Sequence, residues 1–206
     1  DAKDNAVTVG TPDATSTMAV GSEGVQAGSL TLENTTATVD GDVTLSDGGL
    51  TVSNGSLKAA EGTTVKVAGE STIEEGAEVD VDTFNIGDNT VSVLNSTLEI
   101  GTLEATAGSV FFVDPSYVNI ESLQGDTLNT ILAIGDGSNV VIGYSDLDQL
   151  ALAVSKAGMT LNDDMTVASG TNVLVLGKAI NIGDSGKIIV DSGMTSATQA
   201  TDGTYG

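Results

Sequence analysis

Three close pairs of aspartates are the first residues in this chain whose type and spacing could do chemistry: Asp40-Gly41-Asp42, Asp80-Val81-Asp82 and Asp163-Asp164. Calcium takes about six to eight oxygens, which turn carboxylates and backbone carbonyls supply together. Asp40, Asp42, Asp80, Asp82, Asp163 and Asp164 are therefore the candidate metal ligands, and calcium is the only cofactor the residues suggest. The glycine-rich nonapeptide repeat of calcium-loaded β-rolls is missing. The competing account is a solvated acidic skin that keeps the surface soluble and discourages edge-to-edge aggregation.

Paired carboxylates could also serve acid–base chemistry on a sugar, with Asp80, Glu99 and Glu104 on strand centres and Asp82 nearby. Such chemistry needs two carboxylates roughly 5–9 Å apart with unlike pKa values. Aromatic residues to grip the substrate and a neighbouring base are expected as well. Tyr117, Tyr144 and Tyr205 are the only tyrosines, tryptophan is absent, and among 29 acids close pairs arise by chance. Without histidine or cysteine there is no Ser–His or Cys nucleophile system and no His/Cys zinc site. Gly135-Asp136-Gly137 and Gly177-Lys178 lack the rest of a dinucleotide or phosphate loop and read as turns. Asn34-Thr35-Thr36, Asn54-Gly55-Ser56 and Asn95-Ser96-Thr97 match glycosylation sequons but read as corners. The expected chain is non-catalytic.

The formal charge is −23, with no arginine. Such a surface repels phosphate backbones and anionic headgroups, so nucleic acid is a poor partner. Yet 39% of the residues are apolar, many of them β-branched, which indicates a folded β-protein under an acidic exterior. No apolar run approaches the ~20 residues that span a bilayer, so this segment is not expected to insert.

What must position these side chains is a repeated triplet, apolar–polar–apolar. It runs from Val7-Thr8-Val9 through Leu30-Thr31-Leu32, Ala37-Thr38-Val39, Val43-Thr44-Leu45, Leu50-Thr51-Val52 and Leu57-Lys58-Ala59. It continues in Val65-Lys66-Val67, Val79-Asp80-Val81, Val91-Ser92-Val93, Leu98-Glu99-Ile100 and beyond, to Ile180-Asn181-Ile182. Period two sends the outer residues of each triplet to one face and the middle one to the other. Between triplets stand Asp-Gly-Asp, Asp-Gly-Gly and Asn-Gly corners, where positive φ is cheap. Three-residue strands are only ~10 Å long, and hairpins that short are marginal. A solenoid instead pairs each short strand with its equivalents in neighbouring coils. Three strand–turn units give a coil of roughly 20 residues. The expected fold is all-β, a parallel β-helix; the alternative is an antiparallel β-sandwich.

Later segments differ. Val110–Val113, Ile131–Ile134, Val140–Ile142, Val173–Leu176 and Ile188–Val190 are unbroken apolar runs, suggesting burial on both faces. One short α-helix is predicted near 146–157, capped by Ser145, with Leu147, Leu150, Ala151 and Val154 on one face and a stop at Gly158. The organisation reads as an N-terminal cap or segment over 1–29, one solenoid domain over 30–194 and a flexible tail or linker over 195–206.

The triplets, the Gly/Asn/Asp corners and the Thr-rich outer positions, best developed between Leu30 and Ile120, resemble the passenger region of bacterial autotransporter adhesins. That resemblance implies a right-handed parallel β-helix, export to the bacterial surface and attachment to the outer membrane through a barrel outside this chain. It implies adhesion or display, with a glycan or protein of a host or neighbouring cell as partner. A self-assembling extracellular fibre or surface-layer subunit, joined by strand addition, is the second reading. A carbohydrate-acting enzyme on a β-helix is the third.

Overall fold

The computed structural model describes residues 2–106 and 109–124 and, beyond them, the backbone of the strands between Thr130 and Thr198; side chains are described for 4–106, 109 and 113–124. Its first strands are β1 (Ala2–Gly10), β2 (Ser16–Val20), β3 (Val25–Glu33), β4 (Thr35–Val39) and β5 (Val43–Leu45). Next come β6 (Leu50–Ser53), β7 (Ser56–Ala59), β8 (Thr64–Lys66), β9 (Ser71–Glu74) and β10 (Glu78–Gly87). Then follow β11 (Thr90–Leu94), β12 (Thr97–Ala105), β13 (Val110–Asp114) and β14 (Tyr117–Gln124). β1 and β2 pair in parallel with the turn after them, and β3 to β14 with strands of the turns before and after, never with a hairpin neighbour. The fold is a parallel β-solenoid of about six turns. The antiparallel sandwich is not the architecture.

Every turn has three faces, one triplet to each. Face A stacks Val25–Ala27, Val43–Leu45, Val65–Val67, Phe84–Ile86 and Leu103–Ala105. Face B stacks Val7–Val9, Leu30–Leu32, Leu50–Val52, Ser71–Ile73 and Val91–Val93. Face C stacks Met18–Val20, Ala37–Val39, Leu57–Ala59, Val79–Val81, Leu98–Ile100 and Val118–Ile120. Between Leu30 and Ile120 the outer members of every triplet named above are buried in one continuous core. Phe84-Asn85-Ile86 and Ser71-Thr72-Ile73 join that set, with Phe84 and Ile86 fully enclosed and Ser71 an inward hydroxyl. Burying a Val, Leu or Ile side chain contributes roughly 1.5–3 kcal/mol, so a turn that fills three faces is held mainly by this seal.

The middle residues make outward rows in register. Face B carries Thr8, Thr31, Thr51, Thr72 and Ser92. Face C carries Thr38, Lys58, Asp80, Glu99 and Asn119. Consecutive rungs are ~4.8 Å apart, which fixes the spacing of everything the surface presents. β1 and β2 already belong to this stack, within the stretch read as an N-terminal cap, and Val7, Val9, Met18 and Val20 pack against the core.

The ladder continues through β15 (Thr130–Ile134), β16 (Asn139–Asp146) and β17 (Gln149–Val154), then β18 (Met159–Leu161) and β19 (Met165–Val167). It ends with β20 (Asn172–Gly177), β21 (Ile180–Ile182), β22 (Ile188–Val190) and β23 (Ala197–Thr198). The helix expected near 146–157 is corrected here. Gln149–Val154 is a strand, paired in parallel with β15 on one side and β20 on the other. A helix of about 12 residues is marginal by itself. The helix propensity of Leu and Ala is worth only tenths of a kcal/mol per residue, and two complete ladders outweigh it. Within the stretch read as a tail, β23 pairs with β20; the rest of 195–206 lies outside the described residues.

Candidate functional site

The acidic candidates divide among the corners and one face. Asp42 Oδ1 accepts the backbone N–H of Thr64 at 2.9 Å, and Asp82 Oδ2 accepts that of Gly62, also at 2.9 Å. The corner between faces C and A in the Leu57–Val67 turn is thus held from the preceding turn by Asp42 and from the following turn by Asp82. Such charge-assisted bonds satisfy N–H groups of the corner and of the first residue of β8. Asp80 Oδ2 lies 2.9 Å from Lys58 Nζ, its neighbour on the outward row of face C. That hydrogen bond, and then the carboxylate's charge, raise the Lys58 ammonium above its ordinary pKa. Asp40 is exposed, and its own N–H bonds to the Val20 carbonyl. Asp163 and Asp164 lie outside the described residues.

A shallow depression of about 270 Å³ gathers Lys58, Glu61, Asp80, Asp82 and Glu121 around Gly101. Among the described residues no three acids come together closely enough to hold a metal ion. Of the carboxylates considered for sugar chemistry, Asp80 and Glu99 are register partners on face C. Glu104 stands on face A, accepting a hydrogen bond from Asn85 Nδ2 at 2.6 Å.

The corner between faces B and C is built differently. Asn34, Asn54, Glu75 and Asn95 occupy it in successive turns with φ of 46°, 47°, 59° and 49°. Asparagine tolerates this left-handed geometry, which is why the three sequon-like segments fall there. Asn54 Nδ2 donates to Asn34 Oδ1, and Asn34 Nδ2 donates to the carbonyls of Thr11 and Pro12 at 2.9 and 2.7 Å. Behind this column runs a file of buried hydroxyls. Thr35 Oγ1 donates to a backbone carbonyl, with Val9 O at 3.0 Å and Glu33 O at 2.8 Å in reach. Ser96 Oγ accepts from Ala77 N and donates to Leu94 O; Ser116 Oγ accepts from Ser96 N and donates to Val93 O.

Above Ser96 and Ser116 opens the larger surface cavity, a groove of about 440 Å³ walled by Gly76, Glu78, Asn95, Thr97, Pro115 and Tyr117. Glu78, Thr97 and Tyr117 are register partners on three consecutive rungs. Tyr117, at 36% exposure, is the one exposed large apolar side chain among the described residues. The backbone here is already committed, Thr97 N–H to Ala77 O and Tyr117 N–H to Ser96 O. The side chains the groove offers a ligand are an aromatic face, an amide, a hydroxyl and a carboxylate. These residues equip it for binding. Sequence reading singled out Asn95 as a corner and Tyr117 only as a scarce aromatic. The signal that joins them is a separation of one turn, visible once the register is known. No protein-family model, no curated protein and no solved structure matches this chain.

Proposed function

We propose that this chain is a displayed, non-catalytic surface solenoid, the passenger-like part of a bacterial adhesin. It stands outside the cell and is attached through a region beyond this segment. The observation that carries the reading is the continuous parallel stacking of turns: from β3 to β14 each strand is paired with the turns before and after it, so the body is a stiff spacer. Its three outward rows present polar side chains at fixed ~4.8 Å steps. Stiffness and repetition suit presentation of a surface to a host or neighbouring cell. No helix among the described residues is long and apolar enough to cross a membrane.

Antibodies against the solenoid should label intact cells of the producing organism, and protease added outside should remove the label. Deleting the coding stretch should lower attachment to target cells severalfold while leaving growth unchanged. Label that appears only after lysis removes the proposal. A second reading, self-assembly by strand addition, draws on β1, whose ladder runs to β3 alone among the described residues. Concentration-dependent polymerisation in sedimentation would favour it, and a persistent monomer would dismiss it.

A further inference from the structure

We propose that the groove over the corner between faces B and C binds a neutral hexopyranose unit of a glycan, with Tyr117 as the stacking platform. The inference deepens the display reading and takes its biological setting from it. Its physical basis is separate and starts with Tyr117. The chain has three Phe, three Tyr and no Trp, so an aromatic ring is scarce. The one large apolar side chain left exposed among the described residues lines the larger cavity. A phenol ring offers a flat, rigid apolar face with a polar tip, at little cost in conformational freedom. The C–H face of a pyranose is its natural complement.

The remaining walls supply what sugar hydroxyls need. The Glu78 carboxylate accepts, the Asn95 amide both donates and accepts, and the Thr97 hydroxyl does either. No protein hydrogen bond engages these side chains among the described residues, unlike Asn34 and Asn54 of the same column. Glu78 and Tyr117 flank Thr97 across two rung steps, roughly 10 Å, a span that admits one ring. The cavity volume falls within the ~300–1,000 Å³ usual for small-ligand sites. Its floor is stitched by Ser96 and Ser116 to three successive turns, so the walls are held before ligand arrives.

Charge narrows the ligand. Among the described residues no cation lines the groove. Glu78 is inside it with Lys58 near enough to feel its charge, and Glu75 and Asp114 precede the lining residues Gly76 and Pro115 in sequence. Sialic acids and uronates are repelled on a chain of net charge −23. A peptide is disfavoured for another reason: the rung N–H and C=O groups are already paired, leaving no edge for strand addition.

The test is titration of the whole chain with methyl glycosides of glucose, galactose, mannose and N-acetylglucosamine, followed by saturation-transfer NMR and calorimetry. Sialyllactose, glucuronate and an unstructured neutral peptide are the comparison probes. At least one neutral glycoside should bind, its ring protons receiving saturation. Tyr117→Ala should weaken binding about tenfold or more and Tyr117→Phe only about threefold, because stacking is retained. Asn95→Gly keeps the positive-φ corner and removes only the amide, so affinity should drop severalfold with thermal unfolding unchanged. The proposal is overturned by no neutral binding at roughly 10 mM ligand, by binding that survives Tyr117→Ala, or by preference for the anionic sugars or the peptide. Cell attachment that persists in Tyr117→Ala sinks the groove and spares display. Glycoside binding by a protein that antibodies cannot reach on intact cells does the reverse.

Discussion

The corner between faces A and B and the corner between faces B and C turn the same chain around the same core with different emphasis, although both pass a glycine close to the neighbouring backbone, Gly49 at the first and Gly55 at the second. At the A–B corner backbone packs on backbone. A Cβ at Gly49 would overlap the Glu70 carbonyl oxygen, and one at Gly69 would come within 2.8 Å of the Gly48 Cα. At the B–C corner polar side chains do the joining: an amide column outside and a hydroxyl file inside. The first corner keeps glycine where successive turns touch, at Gly49 and Gly69, although Asp47, Ala68 and Glu70 beside them carry side chains. The second relies on side chains, which leaves spare amides and hydroxyls at the surface, and the groove is assembled from those spares.

Four measurements would break or sharpen this contrast. Gly49→Ala carries the largest expected effect, a loss of about 3 kcal/mol or more in denaturant unfolding, since a carbonyl rather than a flexible side chain must move. A neutral result would mean that the A–B corner is not backbone-packed. Ser116→Ala is next, at about 1–3 kcal/mol, because it strips the Ser96 N–H of the buried Oγ that accepts its hydrogen bond. Third, Glu75 is the one column member that is neither Asn nor Gly, and Ser53 Oγ donates to its carboxylate at 2.7 Å. Glu75→Asn should therefore stabilise by about 0.5–1 kcal/mol despite losing that bond, and Asn54→Ala should destabilise by about 1 kcal/mol, as left-handed geometry costs a Cβ-bearing residue. A destabilised Glu75→Asn variant would show that the Ser53 contact, and not the backbone, governs the position.

Lys58 on face C belongs to neither corner and provides the control. Because Asp80 raises its pKa in the fold, the pair's contribution is complete below the ordinary lysine value of ~10.4 and fades as pH climbs through the raised one. The ammonium is fully exposed, so Lys58→Met should leave the unfolding midpoint within experimental scatter at neutral pH.

Sequence periodicity made the faces legible, because inward and outward positions alternate within each strand and need no knowledge of its partners. Leu50-Thr51-Val52 declares its orientation unaided. Ser71-Thr72-Ile73 does not: Ser71 is inward because its Oγ accepts the Leu50 N–H at 3.0 Å, across 21 residues. The acids show the same limit. Asp42 and Asp82 each accept an N–H one turn away, a role that local reading does not reveal. Register partners are separated by as few as 18 residues between Val25 and Val43 and as many as 25 between Ala2 and Ala27. A repeat that slips by this much hides which corner residues meet, and so hides the groove. Gln149–Val154 failed in the opposite sense, since its apolar spacing fits a helix and only the neighbouring ladders decide for a strand.

The locked stacking of turns also constrains how such a molecule can change size. Duplicating one full winding would lengthen the tube by a single ~4.8 Å step and leave every other contact intact. Losing a third of a winding would carry each downstream segment round to the next side, with amide corners landing where glycines must pass. Length can thus vary only in whole windings, and a family of such proteins would differ in reach by discrete increments while their cross-section stayed fixed.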